Sequence, residues 1–231
     1  MAKTKLTLEK FQVAFRRIKQ QGFIQSKRRG PTGVGHLLET LLGITEDNIA
    51  LPDLHMAELK AHRIGSSNMI TLFTFNRKAW KMKPLEAIRK YGTPDVNGRL
   101  GLYFTMSLTP NSHGLFLHTD DHSISVRHIS GQIIAEWQLD DLKAQFVKKL
   151  PALLLVSAFS EERAGVEWFH FSRARLLTGT SEETILNQIR SGNILVDLRL
   201  HDKGTSARNH GTGFRAYEEK LPLLFNNVKD L

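Results

Sequence analysis

The sequence predicts a mixed α/β fold, and three features of the residue pattern carry that prediction. Segments with apolar residues at helical spacing are interspersed with segments that alternate between apolar and polar residues, which is typical of strands. The run Leu153–Val156 is entirely apolar, as in a strand that is buried on both faces. Residues 99–137 alternate between β-prone runs and turn signals, which predicts several antiparallel strands.

Length and composition limit the classes of protein that fit. The chain has 231 residues and 41% hydrophobic residues, enough for one large globular domain or one domain in two lobes. It has no cysteine, which excludes disulfides, thiolate metal sites and cysteine nucleophiles. No apolar run is long enough to cross a bilayer and the N-terminus lacks a signal-peptide core, so we expect a cytoplasmic protein without a membrane partner.

The net charge is +9, with a sequence pI of about 9.9. Residues 1–35 contain nine lysines and arginines and only one acidic residue, so they hold nearly the whole excess. This charge predicts a polyanionic partner, and nucleic acid is favoured over a membrane surface because no basic amphipathic anchor stands out.

The first predicted element is an amphipathic helix over residues 7–21, with Thr7 as its N-cap. Its basic residues lie away from the apolar face, and they fit a solvated face and a DNA contact equally well. Three cations and a glycine-rich turn follow, and the turn opens a helix over about 33–43. This segment lacks the spacing of a Walker A loop, so we expect no nucleotide cofactor. We expect a DNA-backbone contact instead, made by Lys27, Arg28, Arg29 and Thr32.

The central stretch is a strand in which Ala57-Glu58-Leu59-Lys60 alternates apolar and charged residues. Glu58 and Lys60 then point to the same side, and Asp53 precedes them across a bend begun at Pro52. Two converging carboxylates suit Mg²⁺, and a lysine beside them can orient a water and offset charge on a phosphate. This is the layout that metal-assisted phosphodiester hydrolysis requires. On the preceding helix, Glu39 is either a boundary residue or a functional carboxylate.

The remaining elements follow from periodicity and turn signals. Histidines 113, 118, 122 and 128 lack the spacing of a zinc site, so a zinc enzyme is the least favoured interpretation. The predicted elements are a strand over 69–75 that partners the central strand, a helix over 84–91, a helix over 139–150, a strand over 166–177 and a helix over about 181–190.

Residues 194–200 alternate strictly, which predicts a strand with Asp197 and Arg199 on one exposed face. The two side chains either form a simple ion pair or read base edges, with the aspartate as acceptor. A glycine-rich segment follows over residues 204–215. We interpret it as a flexible loop from which Arg208, Asn209 and His210 could enter a groove of DNA.

Together these motifs resemble the MvaI/BcnI restriction endonucleases, which belong with the mismatch-repair nicking enzyme MutH in the PD-(D/E)xK superfamily. The resemblance covers both ends of the chain and the strand at 150–158, whereas residues 76–148 match only loosely. The matching residues are Lys27-Arg28-Arg29-Gly30-x-Thr32-Gly33-x-Gly35, Glu39, Pro52-Asp53-x-His55-x-x-Glu58-x-Lys60, Thr71–Thr74, Val196–Arg199 and His210-Gly211-Thr212-x-Phe214-Arg215.

The resemblance implies a single nuclease domain over 1–231 in two lobes. The catalytic lobe, a mixed sheet flanked by helices, is centred on 1–75 with later segments, and a β-rich lobe carries recognition residues mainly within 193–216. Such enzymes act as monomers on double-stranded DNA at CC-N-GG sites and nick one strand after the other. Asp53 and Glu58 would bind Mg²⁺ (or Mn²⁺ as a substitute), Lys60 would be the catalytic lysine and Glu39 an outer or second-metal carboxylate. Asp197, Arg199, His210 and Arg215 would read bases.

Two departures from the family pattern bear on the target. Asn209 stands where the MvaI branch has an acidic residue. The BcnI branch has histidines where this chain has Thr74 and Gly213, which favours a central A·T pair, CCWGG over CCSGG. We therefore predict a magnesium-dependent type II restriction endonuclease, accompanied in its host by a cognate DNA methyltransferase. A MutH-like nickase that needs a partner and a DNA-binding protein with a dead nuclease site are the alternatives.

Overall fold

The computed structural model describes residues 6–44, 48–50, 56–76 and 78–231. These residues form two compact units, each assembled from separate stretches of the chain. The first consists of the described residues within 1–70, 149–180 and 221–231, and the second consists of those within 71–148 and 181–220.

The helices and strands are numbered in chain order. The α-helices are α1 (Leu8–Gln20), α2 (Gly33–Leu42), α3 (Pro84–Tyr91), α4 (Leu139–Lys149) and α5 (Glu182–Arg190), and a 3₁₀ helix covers Glu218–Leu224. The strands are β1 (Ile24–Gln25), β2 (Asn48–Ala50), β3 (Met56–Arg63), β4 (Ile70–Phe73), β5 (Thr93–Pro94), β6 (Leu100–Leu102), β7 (Thr105–Met106), β8 (Leu115–Thr119), β9 (Ser123–His128), β10 (Ile133–Gln138), β11 (Ala152–Arg163), β12 (Val166–Thr178), β13 (Leu195–Asp197), β14 (Leu200–Asp202), β15 (Ala207–Asn209), β16 (Gly213–Ala216) and β17 (Asn227–Asp230).

The first unit is a mixed sheet in the order β1-β12-β11-β3-β2, with β17 paired to β12. The pairing of β3 with β11 is parallel, and the other pairings are antiparallel. Because β11 lies between β3 and β12, its residues 152–158 are buried whichever face they occupy. This burial explains the uninterrupted apolar run and confirms the predicted buried strand.

Helices α1 and α2 cover one face of this sheet. The predicted N-cap of α1 is confirmed, because the Thr7 hydroxyl accepts from the backbone N–H of Lys10. The buried side chains that form the core are contributed by both helices and by the inward positions of β3, β11 and β12: Phe11, Phe15, Ile18, Val34, Leu37, Leu38, Ala57, Leu59, Leu154, Val156, Phe169 and Phe171. The apolar stripe of α1 thus packs into the core, as its helical spacing predicted.

The second unit contains three small sheets. Their strand orders are β10-β9-β8, β4-β16-β13-β7 and β15-β14-β6-β5. The antiparallel strands that the sequence predicts within residues 99–137 are confirmed, as are the helices α3, α4 and α5. The β-rich character of this unit agrees with the mixed α/β fold class.

Three sequence-based interpretations are wrong. First, β4 does not pair with the central strand: it lies beside β16, while both edges of β3 are taken by β2 and β11. Second, residues 204–215 are not simply a flexible loop, because they contain β15 and the start of β16. Third, residues 194–200 are not one strand. The chain bends at Leu198–Arg199, between β13 and β14, so that the two short strands join different sheets.

Within the residues that the structure describes, no helix has the length and apolar character needed to cross a membrane.

Candidate functional site

The E-x-K pair lies on β3, the strand beside the buried β11. Ala57 and Leu59 point into the core, and Glu58 and Lys60 share the opposite face, as the alternation predicts. The Lys60 Nζ donates to Glu58 Oε1 at 2.6 Å. The side chains of Lys60 and Glu58 keep 25% and 17% of their exposure, respectively. The pair is therefore formed locally, on a face that a ligand can reach.

The other two acidic residues predicted for the site are Asp53 and Glu39, and the structure describes only one of them. Asp53 lies outside the described residues. Glu39 is half-buried on α2, the helix that packs against β3, one turn after Gly35. Its Oε1 lies 3.8 Å from the position that a Cβ would occupy at Gly35, so the carboxylate lies beside that glycine. Among the residues in the described ranges, no three histidine or acidic side chains come together as a metal-binding group.

The basic segment before α2 has a fixed backbone and free side chains. Lys27, Arg28 and Arg29 are all exposed. Ser26 is buried; its hydroxyl donates to the Arg28 carbonyl at 2.7 Å and accepts from the Arg28 N–H at 3.2 Å. Thr32 is exposed at the start of α2, and its side chain makes no capping hydrogen bond. The segment therefore presents three cations and a helix N-terminus to solvent.

A clamp that the sequence did not reveal holds Gly30, the residue after these cations. The Glu167 carboxylate accepts from the Gly30 N–H at 3.1 Å and from Arg63 Nη2 at 2.9 Å. The same Arg63 nitrogen donates to the Gly30 carbonyl at 2.7 Å. Gly30 has a φ of +85°, which favours glycine. The two clamp residues are 104 positions apart, so no local pattern could have paired them.

The D-x-R pair of the second unit is also formed, but in a different setting. Asp197 is 2% exposed, so its predicted place on an exposed face is wrong. Its Oδ2 accepts from Arg199 Nε at 2.6 Å, and its Oδ1 accepts from the Thr105 hydroxyl at 3.1 Å. Thr105 is directly opposite Asp197 in the β13–β7 pairing. The ion pair that the simpler interpretation predicted is therefore present, and burial makes it part of a larger cluster.

Arg215 brings a second guanidinium to the same carboxylate. Its Nε lies 2.9 Å from Asp197 Oδ2, an ion-pair contact whose angles fall short of a hydrogen bond. Burial lowers the pKa of Arg215, and the positive charge of Arg199 lowers it further, against the opposing effect of Asp197. The Arg215 side chain is 18% exposed and that of Arg199 is 43% exposed. Two cations thus share one buried anion, and Arg199 is the more accessible of them.

Asn209, the last residue of β15, fixes the turn that follows this strand. Its side-chain Oδ1 accepts from the backbone N–H groups of Gly211 and Thr212 at 2.9 and 2.8 Å, the pattern of an Asx turn. The buried Thr212 hydroxyl in turn accepts from the Arg199 N–H at 3.0 Å. Asn209 therefore holds the turn beside Arg199, and its carbonyl oxygen is already used within the protein. Arg208 is exposed on β15, and its guanidinium makes no hydrogen bond to any residue of the described ranges.

His210 is exposed and has an unpredicted partner, His201. The His210 Nε2 lies 2.7 Å from His201 Nδ1, and the Tyr103 hydroxyl lies 3.2 Å from the same Nδ1. His201 is 5% exposed on β14. His201 directly follows the alternating residues 194–200, and this is the one sequence signal that could have marked it as a candidate site residue. Tyr103 and Thr105 gave no such signal, since only strand pairing brings them here.

The mixed sheet, with an E-x-K strand beside a buried parallel strand and helices packed on the other face, agrees with the nuclease core that the motifs predicted. The comparison with protein families gives the same result at a finer level. The chain belongs to the MvaI/BcnI restriction endonuclease family, whose model matches residues 13–225. The resemblance drawn from the motifs is confirmed, and the chain is accordingly a restriction endonuclease and a nuclease.

Two solved structures support this placement. The chain is similar to the restriction endonuclease MvaI in complex with its cognate DNA substrate, with 27% identity, a TM-score of 0.77, and coverage of 96% of this chain and 97% of that one. It is also similar to MvaI in the absence of DNA, with 27% identity, a TM-score of 0.51, and coverage of 100% and 99%. No curated protein matches the chain significantly.

Proposed function

We propose that this protein is a magnesium-dependent type II restriction endonuclease that hydrolyses phosphodiester bonds in double-stranded DNA at a short specific site. The observation that carries the proposal is the 2.6 Å contact between Lys60 and Glu58 on the accessible face of β3, in a chain of a restriction endonuclease family. In metal-assisted phosphodiester hydrolysis, such a carboxylate can hold the metal ion, and such an ammonium can offset charge on the phosphate.

The donor set fits a hard cation. Glu58 is a part-exposed carboxylate, and Mg²⁺ takes one or two carboxylates while keeping several waters. Glu58 and Asp53 would hold the ion, with Glu39 as an outer ligand, and Mn²⁺ would substitute through the same oxygen donors. When bound, the ion lowers the pKa of water and polarises the scissile phosphate. Lys60 orients the attacking water and offsets the charge that develops on the phosphate.

Binding to DNA divides between the two units. Lys27, Arg28, Arg29 and the start of α2 at Thr32 contact phosphates, which fixes register without reading sequence. Arg199 and Arg215 read guanines, because a guanidinium matches the acceptors of guanine in the major groove. Asp197 holds both guanidiniums in orientation, and Arg208, Asn209 and His210 complete the recognition surface.

The preferred target is CC-A/T-GG, cut by a cytoplasmic monomer that nicks the strands in sequence, in a host whose DNA is protected by a cognate methyltransferase. Incubation with supercoiled plasmid and unmethylated phage DNA, with and without Mg²⁺, tests this. Discrete metal-dependent fragments with CCAGG or CCTGG at their ends are expected. Open circles alone would indicate a strand-nicking enzyme, and nicking that appears only with an added partner protein would indicate the MutH-like nickase. Tight binding without cutting in Mg²⁺ or Mn²⁺ would indicate a dead nuclease site.

The catalytic residues are tested separately from binding. Lys60→Ala and Asp53→Ala should retain specific DNA binding and lose cleavage. Lys229→Ala, an exposed lysine on the edge strand β17, is the matched control and should cut normally. Cleavage at the wild-type rate by either active-site variant would refute the proposed site.

A further inference from the structure

The pair formed by His201 and His210 is an in-plane hydrogen bond. The ring planes are 24° apart and the ring centroids are 4.6 Å apart. The 2.7 Å separation of Nδ1 and Nε2 is well below the roughly 3.5 Å contact distance of stacked rings, so the rings meet edge to edge. Because a hydrogen bond needs one donor and one acceptor, the two facing nitrogens share a single proton.

The position of His201 is fixed by its neighbours in the strand pairing. His201 is opposite Gly101 on β6 and Arg208 on β15. A Cβ at Gly101 would lie 2.4 Å from the Tyr103 ring, so glycine is what allows that ring to fold back and bring its hydroxyl to His201. His201 is thus buried and held from both sides, whereas His210 is exposed.

The charges around this pair are mainly positive. Burial lowers the pKa of His201 and of His210, and the nearby cations Arg99 and Arg208 lower both further, with Lys203 acting on His201 as well. The neighbouring carboxylate, Asp202, is engaged by Arg89 at 2.9 Å. Both imidazoles are therefore neutral near pH 7, and one ring then donates an N–H to the bare nitrogen of the other.

The contact with His201 determines what His210 can offer to DNA. With Nε2 occupied, Nδ1 is the ring nitrogen that remains, and it forms no hydrogen bond to the described part of the chain. Whether that nitrogen donates or accepts depends on which partner holds the shared proton. A partner that sets the orientation and tautomer of a base-reading histidine affects specificity without touching DNA.

We propose that His201 is a positioning residue for sequence specificity, which acts by holding His210 through their Nδ1–Nε2 hydrogen bond, with Tyr103 bracing His201. This inference rests on the proposed function, since it requires His210 to face the DNA bases. It adds to that function a buried residue that determines which base is accepted.

A double-mutant cycle tests the inference on the full-length protein. The variants are His201→Leu, His210→Ala and the double variant, with His122→Asn as the control at an exposed histidine elsewhere. The probes are a duplex carrying the sequence found at the ends of cleaved phage DNA and the same duplex with single base pairs exchanged. The readout is the ratio of cleavage rates on the two duplexes, measured beside non-specific DNA affinity.

His201→Leu should reduce that ratio at least about fivefold, a typical effect for one poorly read base pair, while non-specific affinity stays unchanged. The loss should vanish in the His210→Ala background, because His201 acts through His210. His201→Asn, which places an amide near the position of Nδ1, should restore most of the ratio and so separate positioning from misfolding.

The outcomes distinguish a failure of the base-reading role of His210 from a failure of the positioning role of His201. If His210→Ala leaves the ratio intact, the proposed base-reading role of His210 fails. If His210→Ala lowers the ratio and His201→Leu does not, or if both losses add in the double variant, the positioning role of His201 is overturned.

Acidification gives an independent readout. Because the pKa of each histidine is lowered, the neutral pair is intact at and above pH 7 and is lost as the pH falls through those lowered pKa values. The hydrogen bond survives protonation of one ring and is lost when both rings are protonated, because both facing nitrogens are then donors, and the ratio should fall at that point. His122→Asn should follow the wild-type profile, and a fall of the ratio on acidification that is unchanged in His210→Ala would contradict the proposal.

Discussion

Glu58 and Asp197 are each followed two positions later by a base with which they form an ion pair, and the two contacts have the same length. Lys60 Nζ lies 2.6 Å from Glu58 Oε1, and Arg199 Nε lies 2.6 Å from Asp197 Oδ2. Their surroundings differ. Glu58 is bonded to Lys60 alone among the described residues, whereas Asp197 also contacts Thr105 and Arg215 and is nearly inaccessible.

This difference in burial and in the number of partners gives the same acid-x-base motif two different uses. On β3, Glu58 forms an ion pair with Lys60 on an accessible face, so the carboxylate remains available to an incoming cation. At β13 one buried anion holds two cations, which leaves a net positive charge and a fixed guanidinium geometry. The first arrangement suits chemistry on a phosphate, and the second suits recognition of acceptor groups on bases.

The largest expected effect is on catalysis. Glu58→Gln should lower the cleavage rate by more than about 100-fold, because the charged metal ligand is lost. The free energy of unfolding should change by less than about 1 kcal/mol, since the pair is partly solvated. Single-turnover cleavage and urea unfolding measure the two quantities. Normal cleavage by the variant would contradict the metal-ligand role, and an unfolded variant would show that Glu58 acts in folding instead.

The next effect is on stability. Asp197→Ala should lower the free energy of unfolding by about 3 kcal/mol, because the largely buried Arg215 then loses its counter-charge; the more exposed Arg199 contributes little to this loss. Asp197→Asn is the matched variant and should lose less, as its amide oxygen can still accept from Thr105. Equal stability of Asp197→Ala and the wild type in urea unfolding would contradict the shared-anion interpretation.

A smaller effect is expected from the third partner of Asp197. Thr105→Val removes a hydroxyl donor without changing the side-chain shape and should cost about 1 kcal/mol in urea unfolding. Thr109→Val, at an exposed threonine nearby, is the control. Additive effects of Thr105→Val and Asp197→Ala would mean that the hydroxyl does not act on this carboxylate.

The smallest effect is expected at the basic segment. Lys27→Ala and Arg29→Ala should each weaken binding to all sequences alike and reduce the slope of log affinity against log salt by about one. Fluorescence titrations at several salt concentrations measure both quantities. Lys148→Ala, at the end of α4, should leave the slope unchanged, and a loss of discrimination between sequences would contradict a backbone contact.

The sequence alone determined those features of the fold that depend on neighbours in the chain. The helical spacing of apolar residues located α1 and α2, the apolar run located β11, and the alternation in β3 placed Glu58 and Lys60 on one face. These predictions are confirmed because each side chain's direction follows from the period of its own element. The ordered motifs also determined the family.

Only the tertiary structure decided which strands and side chains meet across the chain. It put β4 beside β16 rather than β3, buried Asp197, and brought Arg63 to Glu167 and His201 to His210. A strict alternation predicted an exposed Asp197 because period 2 separates two faces without saying which elements cover them. Strand pairing and burial are non-local, so the same acid-x-base spacing became an open pair in one unit and a buried cluster in the other.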